Sequence, residues 1–315
     1  MTSIQFNKIF YNIKPFIPRR LQIFVRRRVI AYKRKKYRHI WPIDPDAATP
    51  SKGWNVWPGN KKFAVVLSHD VDTQKGNDNC YQLMEIEENL NFRSSFNFVP
   101  ERYRVSEGLI EDLKNRGFEV CVHGLNHDGK LFFSKQIFDE RAIRINEYLN
   151  KWGSTGFTSP SMHHNLDWMH ALNINHSLST FDTDPFEPQA DGIGTIYPIW
   201  VQNTSFGKGY VELPYTLPQD FTLFILMKEK NISIWKDKLD WVAEKGGMML
   251  LNSHPDYMNF HKKNSYEEYT VEFYVEFLEY LKTRYKDQFW HVLPKDIACF
   301  WRQRYSNKPY KPIRR

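Results

Sequence analysis

From Lys61 onward, short runs of consecutive apolar residues alternate with longer stretches in which apolar positions recur every three or four residues. Phe63-Ala-Val-Val-Leu67 is the first such run, and an unbroken apolar segment of this length predicts a strand buried on both faces of a parallel sheet. Leu83, Ile86 and Leu90 then follow helical spacing. Ser94 to Val99 predicts a second strand, Leu109 to Arg116 a helix closed by Gly117, and Phe118 to Val122 a third strand. A further helix, capped by Ser134, is expected to reach Trp152. Apolar segments recur at Tyr210–Leu213, Met248–Leu251 and Phe289–Val292, and helical patterns run through Ile232–Glu244 and Tyr266–Tyr285. This alternation predicts an α/β fold with a central parallel sheet closed into a barrel.

Charge divides the 315 residues differently. Residues 1–40 carry 12 Lys and Arg and no Asp or Glu, and residues 302–315 carry 6 with no acid, so the middle of the chain holds 26 basic against 36 acidic side chains. The net charge of +8 therefore belongs to the two ends of an acidic body. The expected organisation is a basic helical extension and linker over 1–60, a catalytic barrel over 61–301 and a basic tail over 302–315. Leu21, Phe24, Val25 and Val29 recur at helical spacing, with Arg19, Arg20, Arg26 and Arg27 largely on the other side. Two readings of this amphipathic helix stand side by side. It lies on an anionic membrane surface, or it packs on the body with its arginines in solvent. No nucleic-acid partner is expected, because no recognised binding module follows the basic tracts.

Hydrophobic residues make up 41% and charged residues 25%, with a mean hydropathy of -0.60. The longest apolar stretch, Phe221 to Met227, is far short of the roughly 18 residues that span a bilayer. Three cysteines are too few for a disulfide scaffold, so a reducing compartment is expected. Lys8, Lys14, Arg19 and Arg20 interrupt every candidate signal-peptide core. The expected location is cytoplasmic, with peripheral contact at the inner membrane face through residues 1–40.

Candidate chemistry collects where strands are expected to end. Ser68-His-Asp-Val-Asp72, His123-Gly-Leu-Asn-His-Asp128 and Asn252-Ser-His-Pro-Asp256 each follow a buried apolar run, and polar groups placed there must be paired or hydrated. His123 and His127, four apart, can converge on one ion, and a carboxylate from another strand completes a two-histidine, one-carboxylate face with open positions. Strand alternation sets Asp70 and Asp72 on one side, so one can bind a cation while the other acts as a base. Cys121 is expected to be a small core residue, and Ser253 beside His254 lacks the glycines of a nucleophile elbow. Of the aromatic residues, Trp152, Trp168, Trp200, Tyr215 and Tyr257 are candidates to stack on a sugar ring, most of them expected instead in the core or at its rim.

These motifs, in this order, resemble the polysaccharide deacetylase family, carbohydrate esterase family 4, over roughly Phe63 to Val292. The resemblance implies a distorted (β/α) barrel with about seven strands. It further implies Asp70 as general base, Asp72, His123 and His127 as metal ligands, and His254 as general acid. It implies hydrolysis of an acetamide on an N-acetylated glycan or lipid-linked precursor. The chemistry of the donor set makes Zn2+ the expected ion, with Co2+, Ni2+ or Fe2+ fitting the same ligands. Two stretches depart from the family pattern. In Gly156-Phe-Thr-Ser-Pro-Ser161, Thr158 stands where an arginine usually orients the base, and Ser161 where an aromatic residue is usual. A backbone N–H near Ser161 could still serve an oxyanion, and His163, His164 or another cation could replace the arginine. In Ser179-Thr-Phe-Asp-Thr-Asp184, Asp182 or Asp184 either supports neighbouring groups or caps a loop, and Asp184, like Ser161, is a candidate for substrate or oxyanion contact. Two alternatives follow: an amidohydrolase acting on a small allantoin-like amide, and a carbohydrate-binding barrel without turnover, for which Thr158 is the motive.

Overall fold

In the computed structural model, which describes residues 17–50, 54, 56–203, 209–261 and 265–305, the first apolar run lies at the centre of the sheet as β1, Phe63–Val71, buried at every position. The strands β2, Ser95–Phe98, β3, Glu119–His123, β4, Gly156–Thr158, and β5, His176–Leu178, follow it in parallel, each beside the last. The hairpin of β6, Ile199–Gln202, and β7, Gly209–Glu212, is joined through β7, which runs parallel to β5. β8, Met248–Ser253, pairs with β1 along 64–69, and β11, Phe289–His291, pairs with the start of β1. Thr216 and Leu217 both donate N–H bonds to the Leu250 carbonyl, which closes the curled nine-stranded sheet after β7 against β8. The architecture is a distorted (β/α) barrel. The sheet has nine strands where about seven were expected, and β6 runs antiparallel, paired only with β7.

Seven α-helices accompany the sheet among the described residues: α1, Arg19–Lys36, α2, Gln74–Asn89, α3, Glu107–Asn115, α4, Lys135–Lys151, α5, Ser233–Lys245, α6, Glu272–Arg284, and α7, Pro294–Tyr305. α4 shows why these segments are helical. Ser134 caps it by accepting the Ile137 N–H at 3.2 Å, and Phe138, Ala142, Ile145 and Leu149 form one buried stripe. Truncating Ile145 or Leu149 to alanine would cost roughly 2–5 kcal/mol, the range for emptying a packed core position. α6 begins at Glu272 rather than at the expected Tyr266. Tyr269–Thr270 instead forms β10, which pairs with β9, Met258–Asn259, and the Tyr269 hydroxyl donates to Asp220 at 3.0 Å.

The segment from Trp41 to Asn60 joins the barrel's own core. Trp41, Ala47 and Trp57 are buried, the Ala47 carbonyl accepts the Ile196 N–H at 3.0 Å, and the Trp57 indole donates to the Gly246 carbonyl at 2.9 Å. Trp54, Trp57 and Trp301 pack together beside this contact, where β8 begins.

α1 packs on the body, as the second of the two readings expected, but through the side opposite to the one that reading gave. Ile23 and Ile30, seven residues apart, enter the core, whereas Leu21, Phe24, Val25 and Val29 face outward. The basic side turns inward because the body offers acceptors there. Arg27 donates to the Ile225 carbonyl and the Tyr266 hydroxyl, Arg19 pairs with Glu267 at 2.9 Å, Arg34 pairs with Glu229, and Lys33 donates to the Pro185 carbonyl at 2.8 Å. Residues 1–16 and 306–315, the outer parts of the basic ends, lie outside the described residues.

Candidate metal centre and active site

Along β1 the side chains alternate, and the two sets meet different neighbours. His69 points to the outer layer, where its Nε2 bonds Glu87 at 2.9 Å and its Nδ1 bonds Ser253 Oγ at 2.9 Å. Ser253 is thereby committed to His69 and does not serve His254. Ser68, Asp70 and Asp72 point the other way. Asp72 Oδ1 lies 3.4 Å from His123 Nε2 and 3.0 Å from His127 Nε2, so the three predicted ligands come together at the ends of β1 and β3. The turn between the histidines depends on Gly124, whose φ is +61°. A Cβ there would meet Pro160 Cγ at 2.3 Å.

The protonation pattern of this cluster follows from its hydrogen bonds. Asp70 Oδ1 can only accept, so the Thr158 hydroxyl, 3.2 Å away, donates to it, and Thr158 in turn accepts from His123 Nδ1 at 2.6 Å. His123 Nε2 faces Asp72; burial would lower the basicity of this imidazole, but Asp70 and Asp72 together raise it. Burial lowers the basicity of His127, favouring its neutral form, while the adjacent imidazoles hold Asp72 well below the usual carboxylate range against its own burial. Asp72 Oδ1 is buried without a hydrogen bond of ordinary geometry. A carboxylate oxygen left bare between two imidazole nitrogens suits a divalent cation, and the donor set fits one.

Asp70 stands just outside the cluster. Its Oδ1 accepts from Asn97 Nδ2 and its Oδ2 from Asn252 Nδ2, each at 2.8 Å. These amides, with Thr158, take the orienting role expected of an arginine. Among the described residues no lysine or arginine pairs with Asp70. His163 and His164 do not line the cavity at the site, which corrects the expectation of a replacement cation: His164 is turned toward the Met162 carbonyl at 3.0 Å. His254 Nδ1 bonds Asp220 Oδ1 at 2.6 Å, leaving Nε2 for the cavity. Burial alone would lower the His254 pKa, and Asp220 reverses that, lifting it to about 10.

The other sequence candidates separate. Ser161 lines the cavity on a left-handed turn with φ of +57°. Asp184 does not line it. One of its oxygens caps the Phe186 N–H at 2.8 Å, and burial pushes its carboxyl well up, while Asp182 forms a buried pair with Lys238. The loop-capping reading therefore replaces a substrate role for Asp184. Of the five aromatic candidates only Tyr257 borders the cavity, and Cys121 is fully buried. Beneath His123 on β3, Glu119 and Cys121 approach His176 of β5. The 3.0 Å contact between Glu119 and His176 accounts for that cluster as a buried hydrogen bond. Asp220, Asn97 and Asn252 are the site residues that sequence patterning missed. Asn252 lay in a quoted cluster, and Asp220 immediately precedes the longest apolar run.

All of this opens into one cavity of about 1480 Å3, bounded by the strand ends on one side and by α1 on the other.

The fold is a distorted barrel of the kind found in solved polysaccharide deacetylases and an allantoinase. No protein-family model and no curated protein sequence matches the chain. Among solved structures it is similar to a protein of Mycobacterium smegmatis described as a polysaccharide deacetylase, with a TM-score of 0.62, 18% identity, and coverage of 85% of this chain and 98% of the other. A polysaccharide deacetylase structure from Pseudomonas aeruginosa PAO1 aligns at 0.59 with 15% identity, covering 81% and 95%. An allantoinase, Puue, aligns at 0.63 with 16% identity, covering 86% and 99%. At these identities the shared feature is the fold.

Proposed function

We propose that the chain is a metal-dependent hydrolase that removes acetyl groups from N-acetylated amino sugars. The observation that supports this reading best is the division of labour between two carboxylates two residues apart. Asp72 faces the imidazole pair, and Asp70 is held by two amides and a hydroxyl in a position to accept a proton. A divalent cation held by Asp72, His123 and His127 would polarise the amide carbonyl and lower the pKa of water toward about 7. Asp70 removes the proton from the attacking water. The backbone turn at Ser161 is the element proposed to face the developing oxyanion. His254 gives its proton to the departing nitrogen, since an unprotonated amine is a poor leaving group, and Asp220 keeps it protonated until then.

The size of the cavity favours a sugar or glycolipid over a small cyclic amide, because about 1480 Å3 exceeds the roughly 300–1,000 Å3 common for small-molecule sites. The decisive assay is acetate release from a panel of N-acetylated glycans and nucleotide sugars, with chelation followed by addition of Zn2+ or Co2+. Metal-restored acetate release is expected. Metal-loaded protein that releases acetate from none of them, and instead hydrolyses allantoin or only retains glycan, would replace this reading.

A further inference from the structure

α1 supplies one wall of the cavity and also presents a face that no other described residue buries. Leu21, Phe24, Val25, Val29 and Tyr32 form one outward stripe, between 48% and 71% exposed. Arg20, Arg28, Lys35 and Lys36 flank the stripe, all exposed, and none of them has a carboxylate partner among the described residues. The Arg28 guanidinium lies over the Phe24 ring, 5.2 Å from its centroid. Apolar stripes of this kind are unusual on a free protein surface. A second copy of the same face would oppose like charges, since residues 1–40 contain no acid. An apolar stripe rimmed by cations complements an anionic lipid bilayer.

The stripe also runs into the active-site cavity. Val25 and Val29 are exposed on the outward face and line the cavity as well, so one apolar path joins the two. Beside that path Arg26 and Lys33 line the wall, and neither pairs with a carboxylate among the described residues. Arg26 lies over the Phe221 ring at 5.0 Å, and Lys33 meets a backbone carbonyl. Glu187 shares this part of the cavity; burial raises its carboxyl pKa, and the charges of Arg26 and Lys33 act against that shift.

We propose that α1 seats the protein on an anionic bilayer through its outward stripe, and that the cavity takes a membrane-anchored amino-sugar lipid whose phosphate meets Arg26 and Lys33. The amino-sugar part rests on the deacetylase reading, whereas the bilayer and phosphate parts do not. They are tested by binding alone. The full chain is sedimented with vesicles of equimolar phosphatidylcholine and phosphatidylglycerol, and with pure phosphatidylcholine vesicles. Binding to the anionic vesicles that weakens with salt is expected, with a loss of about tenfold or more in L21E/F24E, both changes falling at positions already in water. Circular dichroism checks that this variant stays folded. Equal sedimentation of variant and wild type, or no sedimentation of either, overturns the bilayer docking. For the cavity, calorimetry with dihexanoyl phosphatidic acid is expected to show binding that falls about tenfold in R26A/K33A. Unchanged affinity in that variant overturns the phosphate assignment, and inorganic phosphate bound as tightly as the lipid overturns the lipid part of the proposal. Vesicle and lipid binding without acetate release would leave the bilayer and phosphate parts standing and remove the deacetylase reading with the amino-sugar part.

Discussion

The Asp220 carboxylate holds His254 at two points, accepting from its ring Nδ1 at 2.6 Å and from its backbone N–H at 2.8 Å. The same carboxylate accepts from the Phe221 N–H and the Tyr269 hydroxyl, so its charge is fixed in place. Asp220→Asn keeps the shape and removes the charge. The His254 pKa should then fall from about 10 toward its ordinary 6.5. A general acid works below its pKa, so the alkaline limb of kcat/KM for acetate release should move to lower pH. A limb that stays where it was would separate His254 from proton donation.

Asp70 and Asp72 should fail in different ways. Asp70→Asn leaves the three donors intact, so bound metal should stay at the wild-type level while turnover falls by at least about 100-fold. Asp72→Asn and His127→Ala should lose metal itself, read by elemental analysis after dialysis. Retained activity in Asp70→Asn contradicts the base assignment. Unchanged metal content in both other variants removes the metal centre.

Thr158 is fully buried, and its hydroxyl links His123 Nδ1 to Asp70. Thr158→Val preserves the volume and leaves the imidazole N–H without an acceptor. Metal affinity should drop by roughly 10–100-fold, as for other losses of a partner behind a ligand. A competition titration against a chelator reads this directly, and affinity equal to wild type would mean that Thr158 only fills space.

Glu87 should govern stability rather than chemistry. It is fully buried and accepts from His69, Ser94 and Tyr274. Burial would raise its pKa, but His69 and these hydroxyls hold it below its ordinary value. Its contribution is therefore present above the ordinary carboxylate range and lost as pH falls through the lowered folded pKa. Glu87→Ala should cost about 3 kcal/mol in urea unfolding at neutral pH, with the gap to wild type narrowing in acid. A gap that is constant down to strong acid would show that the loss is one of packing.

The candidate site residues were legible because a buried apolar strand that ends in Asp, His or Asn needs an explanation, and Asp70, Asp72, His123, His127 and His254 all sit at such ends. Their supporting residues were not. Asn97 reaches Asp70 because the two are register partners across β1 and β2, and Asn252 does so from β8. Strand periodicity fixes the face of each residue but not the register between strands. Asp220 was hidden for a related reason, since its partner His254 is 34 positions away along the chain. In α1 the periodicity was visible but its direction was not. Two apolar stripes share the helix, and the narrower pair, Ile23 and Ile30, is the one that meets the core. The departure at Thr158 proved readable only in three dimensions, where two amides and a hydroxyl occupy the surroundings expected of a guanidinium.

The place of α1 before the first strand has a practical consequence. A protein trimmed to start at Lys61 would retain every donor of the metal centre and the whole curled sheet. It would lack Val25, Arg26, Val29 and Lys33, and with them one side of the vestibule, together with the Trp57 plug at the amino end of the barrel. Silence of such a shortened protein would report a missing wall, and the chemistry proposed at the strand ends would still be untried.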